Sequence, residues 1–226
     1  MRYRGVVIAQ ILPPTVESVE AFGDVNGVFL FPEEELVIAR AVERRRQAFI
    51  AGRACARRAL AKLGLPPFAI LPDERGAPQW PRGVVGSITH CDGYQAAAVA
   101  WAKDVVSVGI DAEPDGVLPE GVLAHIALPQ EEVWLREFAA LVPTVSCDRL
   151  LFSAKEALYK ACYPVTHCWL NFTDALVAFD AAGTFDARLL VHGPSIADDR
   201  LTHLAGDWLA RDGLLVTSVI VPSCTS

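Results

Sequence analysis

From Val105 to Pro114 the chain reads Val-Val-Ser-Val-Gly-Ile-Asp-Ala-Glu-Pro. A β-branched run of this kind predicts a buried strand. Period-two geometry puts Asp111 and Glu113 on one side of the extended backbone and Ile110 on the other. Pro114 is expected to end the pairing, which leaves both acids at a strand end. Two solvated acids capping a strand would need no further explanation. Acids that emerge from a buried strand are costly unless they are paired or metal-bound, so what faces them decides their meaning.

A second stretch forty residues on, Phe152-Ser-Ala-Lys-Glu-Ala-Leu-Tyr-Lys160, has helical spacing. Glu156 and Lys160 stand at i,i+4, where a surface ion pair worth ~0.3–0.5 kcal/mol accounts for them cheaply. Lys155 lies about 100° around the helix from Glu156, close to the apolar face marked by Phe152 and Tyr159. Three carboxylates (Asp111, Glu113, Glu156) and two lysines (Lys155, Lys160) together suit a magnesium ion held against a diphosphate. Hard cations take oxygen ligands from carboxylates, phosphates and water, and lysine supplies a point charge for phosphate.

Charge is distributed unevenly. The chain carries a formal net charge of −7, yet residues 40–62 hold eight basic side chains against the single acid Glu43. A concentrated basic helix in an acidic protein points to one local anion site; a nucleic-acid surface needs a broader positive footprint. The helix is predicted from about Glu43 to Leu63, stopped by Gly64. Phe49, Gly52, Ala56, Leu60 and Leu63 form its buried stripe, and Arg46, Arg53 and Arg57 share a neighbouring face. Such aligned guanidinium groups suit phosphate recognition, and a solvated face is the plainer alternative. Gly86-Ser-Ile-Thr-His-Cys-Asp-Gly93 puts Ser87, Thr89 and His90 at a strand end, where a histidine can be structural, a phosphate donor or a base.

At 226 residues and 52% hydrophobic composition the chain can bury a substantial core. Pro32 with Glu33–Glu35 starts one helix, and further helices are expected near 130–141 and 148–162. Strands are expected at 84–87 and 95–101, paired as a hairpin, then at 105–111, 170–179, 185–192 and 214–221. The stretch 71–81 is loop, and Ala102-Lys103-Asp104 divides the chain into halves 1–103 and 104–226. The mixture predicts an α+β fold. Six cysteines without a C-x-x-C pair read as reduced thiols, with Cys162, His167 and Cys168 a weak metal candidate. The apolar run 5–12 is short, broken by Gln10 and followed by Pro13-Pro14, unlike a signal peptide. No run approaches the ~18 apolar residues of a membrane span, so a cytoplasmic location is expected.

Val-Gly-Ile-Asp-x-Glu, some forty residues, then Phe-Ser-x-Lys-Glu-x-x-x-Lys resembles the two-part signature of the 4′-phosphopantetheinyl transferases. The helix with Gly52-Arg53, the Arg75-Gly-Ala-Pro turn and Gly-Ser-Ile-Thr-His at 86–90 match as well. The resemblance spans about residues 40–172 and is to the long, monomeric kind, similar to the surfactin-synthetase activators and enterobactin synthase component D. It implies two pseudo-twofold-related α+β halves with coenzyme A in the cleft between them. The first half would bind the adenosine and phosphates and the second would carry the metal and catalytic motifs. The implied reaction moves phosphopantetheine from coenzyme A to a carrier-protein serine and releases adenosine 3′,5′-bisphosphate. The carriers would be acyl and peptidyl carrier proteins of fatty-acid, polyketide and nonribosomal peptide synthases, including siderophore pathways, with neither nucleic acid nor membrane as partner.

Carried over by position, Asp111, Glu113 and Glu156 would hold magnesium, with manganese as the alternative. Glu156 would be the general base. Lys155, Lys160 and His90 would contact the diphosphate, with Lys155 and His90 counted among the catalytic groups. Arg53 and Arg45 (or its neighbours Arg44 and Arg46) would hold the 3′-phosphate, and Arg75, Ser87 and Thr89 would line the adenosine end. Two rival readings are a non-catalytic coenzyme A or carrier-binding module, and a metal-dependent phosphodiesterase or nuclease. For carrier docking the apolar segment Val117–Ile126 with adjacent Trp134 is the best surface. Leu123→Glu is expected to raise KM for the carrier protein; unchanged carrier kinetics would remove that assignment.

Overall fold

Tyr94–Trp101 reads Tyr-Gln-Ala-Ala-Ala-Val-Ala-Trp, and Ala96 to Ala100 are fully buried. Small side chains on both faces of one strand mean that it is covered from both sides. In the computed structural model, which describes residues 6–23, 25, 27–190 and 201–223, this strand (β3) is the centre of a three-stranded antiparallel sheet. Its neighbours are β1 (Glu17–Phe22) and β2 (Val84–Cys91). After α1 (Pro32–Ile38), the helix α2 (Glu43–Lys62) covers one face, where Cys55, Ala56, Ala59 and Leu60 meet Ala97 and Val99. The other face turns Ala96, Ala98 and Ala100 towards Val108, Ile110 and Val216 of the second half.

The second half is a five-stranded antiparallel sheet ordered β4-β8-β7-β6-β5. Its strands are β4 (Val105–Pro114), β5 (Ala175–Phe179), β6 (Thr184–Leu189), β7 (His203–Arg211) and β8 (Leu214–Pro222). Helices α3 (Val122–Ile126), α4 (Pro129–Leu141) and α5 (Cys147–Thr166) lie between β4 and β5. The fold is therefore α+β, as expected. The expected boundary at 102–104 is the turn between β3 and β4, and the cores on its two sides share one apolar cluster.

The two sheets meet through hydroxyls rather than a backbone ladder. The Ile110 amide donates to Ser87 Oγ (3.1 Å) and the Ala112 amide to Thr89 Oγ1 (3.0 Å). Ser87 and Thr89 thus satisfy the β4 amides on the edge that β8 does not pair. On the face that carries Asp111 and Glu113, α5 crosses β4 at Gly109. A Cβ there would stand 2.0 Å from Ala157 O and 2.6 Å from Ala161 N.

Each half contains a similar device. Phe29-Leu-Phe-Pro-Glu-Glu-Glu35 and Ile126-Ala-Leu-Pro-Gln-Glu-Glu132 open α1 and α4 with proline in the first turn. The third helical residue of each, Glu34 or Glu131, is buried and accepts the amide that precedes its proline, from Phe31 or Leu128. Each also accepts a distant amide, Ile70 or Val177, and a cation from the long helix of its own half, Arg57 or Lys155. The cation closes the loop by donating to the carbonyl three residues before the proline, Phe29 or Ile126.

Some local expectations change. Pairing of β4 with β8 runs through Glu113↔Leu215 to Pro114↔Leu214, because Pro114 needs no donor at the end of a ladder. The segment expected as a strand from 170 begins with a 3-10 turn, Phe172–Asp174, so β5 starts at Ala175. The strand expected to reach 192 ends at Leu189, and His192 lies outside the described residues. β1 and β7 escaped the sequence reading, although β7 alternates strictly, with Leu204, Gly206 and Trp208 inward. The apolar run near the N-terminus is core: the Val7 and Ile8 amides donate to Glu20, and Ile8 is fully buried. Among the described residues no helix is long and apolar enough to cross a membrane, and Cys55, Cys91, Cys147, Cys162 and Cys168 are free thiols.

Gly109→Ala would have to displace main-chain atoms of α5 at Ala157 and Ala161 together with the Ala161 Cβ. It is expected to lower stability by at least about 2 kcal/mol, at the upper end of ordinary overpacking. Urea unfolding with an unchanged midpoint would contradict the close approach.

Candidate active site

Arg149, Glu156 and Lys160 stand seven and four residues apart on α5, hence on one face of the helix. That face meets the side of β4 that bears Asp111 and Glu113. Lys160 Nζ donates to Asp111 Oδ1 (2.7 Å) and, more weakly, to Ile110 O (3.3 Å). Arg149 donates to Glu113 Oε2 (2.9 Å). Glu156 lies between these two cations in sequence and forms no ion pair among the described residues.

Asp111 is almost fully buried. Thr89 Oγ1 donates to its Oδ1 (3.1 Å), which Lys160 also holds, while Oδ2 is buried and has no hydrogen-bond partner among the described residues. A buried acceptor with an unused lone pair is an exception that asks for a ligand. Burial pushes the Glu156 carboxyl above the usual carboxylate range, opposed by Lys160 and reinforced by Asp111. Burial raises Glu113 too, with Asp111 adding and Arg149 opposing. In both, burial is the larger cause and the Asp111 charge adds to it.

A cavity of about 710 Å³ opens on one side of this cluster, lined by Arg44, Arg45, His90, Glu113 and Arg149. A second, about 210 Å³, is lined by Arg75, Ser87, Glu156 and Lys160. A third, about 350 Å³, shares Arg75, Glu156 and Tyr159 with the second and adds Trp169, Leu170 and Phe172. Glu156 therefore stands where an apolar aromatic pocket adjoins a cationic one. The Arg75 guanidinium sits over the Trp169 ring, 5.6 Å from its centroid, at the junction of these two pockets. His90 is at the rim, and although its side chain is partly open, desolvation is the main cause that lowers its pKa. Lys160, Arg44 and Arg53 push the same way and Asp111 opposes.

Comparison with known proteins identifies the family. Residues 33–100 match the model of the 4′-phosphopantetheinyl transferase N-terminal domain, and residues 107–211 match that of the 4′-phosphopantetheinyl transferase superfamily. 4′-Phosphopantetheinyl transferase Svp of Streptomyces mobaraensis is 52% identical over 95% of this chain and 89% of its own length. Npt of Nocardia iowensis is 48% identical over 94% and 99%, and PptT of Mycobacterium tuberculosis is 43% identical over 96% and 99%. The chain belongs to the 4′-phosphopantetheinyl transferase superfamily.

Several residues expected in the transferase site have other bonds. Lys155, expected on the diphosphate, is corrected by the geometry. Its side chain is 2% exposed, and its ammonium donates to Glu131 Oε2 (2.7 Å), Ile126 O (2.8 Å) and Phe172 O (2.8 Å), which uses all three protons. Burial lowers its pKa, against Glu131. Ser87 and Thr89 use their hydroxyls on β4, though Ser87 still lines the second cavity. The aligned arginines are anchors as well. Arg46 donates to Ile38 O, Arg57 to Glu34, and Arg53 Nε to Ile70 O beneath a contact with the Phe49 ring. Burial pulls Arg53 down to about 10, against Glu34, so it stays charged at neutral pH. Arg44 and Arg45, exposed on the next face, line the large cavity instead.

Arg149 went unnoticed, although its seven-residue offset from Glu156 was a readable signal. Among the described residues no group of three or more His, Cys, Asp or Glu is arranged to hold a metal ion, so neither Cys162, His167 and Cys168 nor the expected set Asp111, Glu113 and Glu156 is gathered as a three-ligand site.

Lys155→Met leaves Glu131 as an uncompensated buried charge and is expected to cost about 3–5 kcal/mol. The double change Lys155→Met with Glu131→Gln should recover part of that loss in denaturant unfolding. A stable single variant with a raised KM for coenzyme A would return Lys155 to the phosphates.

Proposed function

We propose that this protein transfers the 4′-phosphopantetheine group of coenzyme A to a serine of carrier-protein domains. The observation that carries the reading is the opposition of β4 and α5, with Asp111 and Lys160 bonded beside Glu156 and Asp111 Oδ2 buried without a hydrogen-bond partner among the described residues. The serine hydroxyl oxygen attacks the β-phosphorus of coenzyme A. The bond from that phosphorus to the bridging oxygen breaks, and adenosine 3′,5′-bisphosphate leaves. Glu156 accepts the serine proton; its raised pKa suits a base operating near neutrality.

The cation-lined cavities match the anionic parts of coenzyme A. Lys160 supports the diphosphate. His90 offers it a hydrogen bond, and Arg44 and Arg45 reach the 3′-phosphate from the start of α2. Arg75 and Ser87 border the adenosine end. Positioned charge of this kind acts on the developing oxyanion without any covalent protein intermediate.

Magnesium, with manganese as the alternative, fits the donor set. Asp111 offers an unused buried oxygen, and Glu113 and Glu156 both carry carboxyls that a cation would relieve. Two or three carboxylates completed by substrate phosphates and water make an ordinary magnesium site. A bound magnesium would supply electrostatic stabilisation of the diphosphate. The carriers are inferred to be those of polyketide and nonribosomal peptide synthases, met by the protein as a monomer. A groove of about 480 Å³ lined by Val117, Leu123 and Leu135 supports docking there. Trp134 is turned inward and stacks on Phe138 and Phe179, while Leu123 is half-buried against the core.

Incubation of an apo-carrier with coenzyme A and magnesium should add one phosphopantetheine group by mass spectrometry; no shift across a panel of carriers would end the proposal. Glu156→Gln is expected to lose ~10²–10⁴-fold in turnover while still binding coenzyme A. For the native enzyme, kcat/KM should fall as pH drops through the Glu156 titration, because protonated Glu156 cannot accept a proton, and saturating magnesium should move that limb to lower pH. An acid limb that persists unchanged in Glu156→Gln would assign that titration to another group.

A further inference from the structure

All three guanidinium nitrogens of Arg149 donate within four residues of Glu113. NH1 donates to Glu113 Oε2 (2.9 Å), Nε to Gly116 O (3.0 Å) and NH2 to Val117 O (2.9 Å). Its neighbour Asp148 accepts the Leu118 amide (2.8 Å), and Asp115 accepts the Ser146 amide (3.0 Å). The segment that leaves β4 is therefore clamped to the first turn of α5 at four successive residues. Arg149 and Glu113 are each about one-fifth exposed, so the pair is partly shielded from solvent.

We infer that Arg149 is a positioning residue that orients Glu113 toward the cation-binding side of Asp111 and locks the segment joining β4 to the carrier-facing groove. The inference rests on the reading of Asp111 and Glu113 as carboxylates that take a divalent cation. A carboxylate whose Oε2 accepts one arm of a guanidinium that is itself anchored to two carbonyls keeps one defined orientation. Without the fork, Glu113 can rotate about its side-chain bonds, and the segment behind it loses two carbonyl acceptor contacts. Partners that orient a metal-binding group typically contribute 10–100-fold to metal affinity. Arginine is required because its planar fork reaches three acceptors at once, whereas lysine places a single point charge. The same clamp reaches Val117, which is 78% exposed and borders the groove. One side chain thus connects the carboxylate cluster to the surface where a carrier is inferred to dock.

The test is Mn²⁺ binding followed by electron paramagnetic resonance, with coenzyme A present, in the intact protein and in Arg149→Lys and Arg149→Ala. Both variants are expected to bind Mn²⁺ roughly tenfold or more weakly, with the melting temperature of Arg149→Lys close to that of the parent. In a Glu113→Gln background, Arg149→Lys should add little further loss, because its effect passes through Glu113. Raising the metal concentration should restore turnover in Arg149→Lys. Mn²⁺ binding by Arg149→Lys within twofold of the parent, or full additivity with Glu113→Gln, would overturn the inference. Absence of Mn²⁺ binding in the parent would instead overturn the underlying cation reading, and Arg149→Lys decides the matter if Arg149→Ala does not fold.

Discussion

The contact of α5 with β4 at Gly109 is the constraint on which the site depends. With no Cβ at that position, the main chain of the helix at Ala157 and Ala161 comes down onto the strand. Any larger residue would lift the helix away. The approach sets Lys160 on Asp111 and buries Glu156, which raises its pKa, with the nearby Asp111 charge adding to the shift. The Val-Gly-Ile-Asp-Ala-Glu run is thus a packing requirement and a charge requirement written into the same few residues. The strand holds the acids rigidly, the glycine admits the helix, and the helix delivers cations on a single face.

The buried glutamates at the starts of α1 and α4 set the second level of organisation. Glu34 and Glu131 each gather two amides and one cation. Burying a carboxylate is tolerable only when its acceptors are filled in this way. The two halves differ in strand number, three against five, yet both use the same clamp to fix a short helix to a long one. This explains the reassignment of Lys155. Its ammonium is the second half's counterpart of the Arg57 guanidinium, so the lysine next to the proposed base holds the scaffold while Lys160 faces the cluster.

Much of the site was legible because it follows from periodicity. Asp111 and Glu113 share a strand face, and Glu156 and Lys160 share a helix face, whichever way the chain folds. The basic helix was equally plain, but its face was misjudged. Arg46, Arg53 and Arg57 align as expected and then turn towards Ile38, Ile70 and Glu34, which leaves Arg44 and Arg45 on the cavity. The hydroxyls of Ser87 and Thr89 were recognised as special for their position, though their bonds go first to β4. β1 was missed because its partner β3 lies far along the chain, whereas β7 turns straight back onto β8 and its alternation was readable but overlooked.

The sequence by itself determined which residue types and spacings were available: a buried strand ending in acids, a helix offering glutamate and lysine one turn apart, and a concentrated positive segment. Those are local properties, set by backbone period and side-chain chemistry. Only the tertiary structure decided which cation meets which carboxylate. Lysine and arginine side chains reach several ångströms in any direction, so the outcome rests on which acceptors happen to be buried nearby. Lys155 found Glu131, Arg149 found Glu113, and Asp111 kept one oxygen without a hydrogen-bond partner among the described residues.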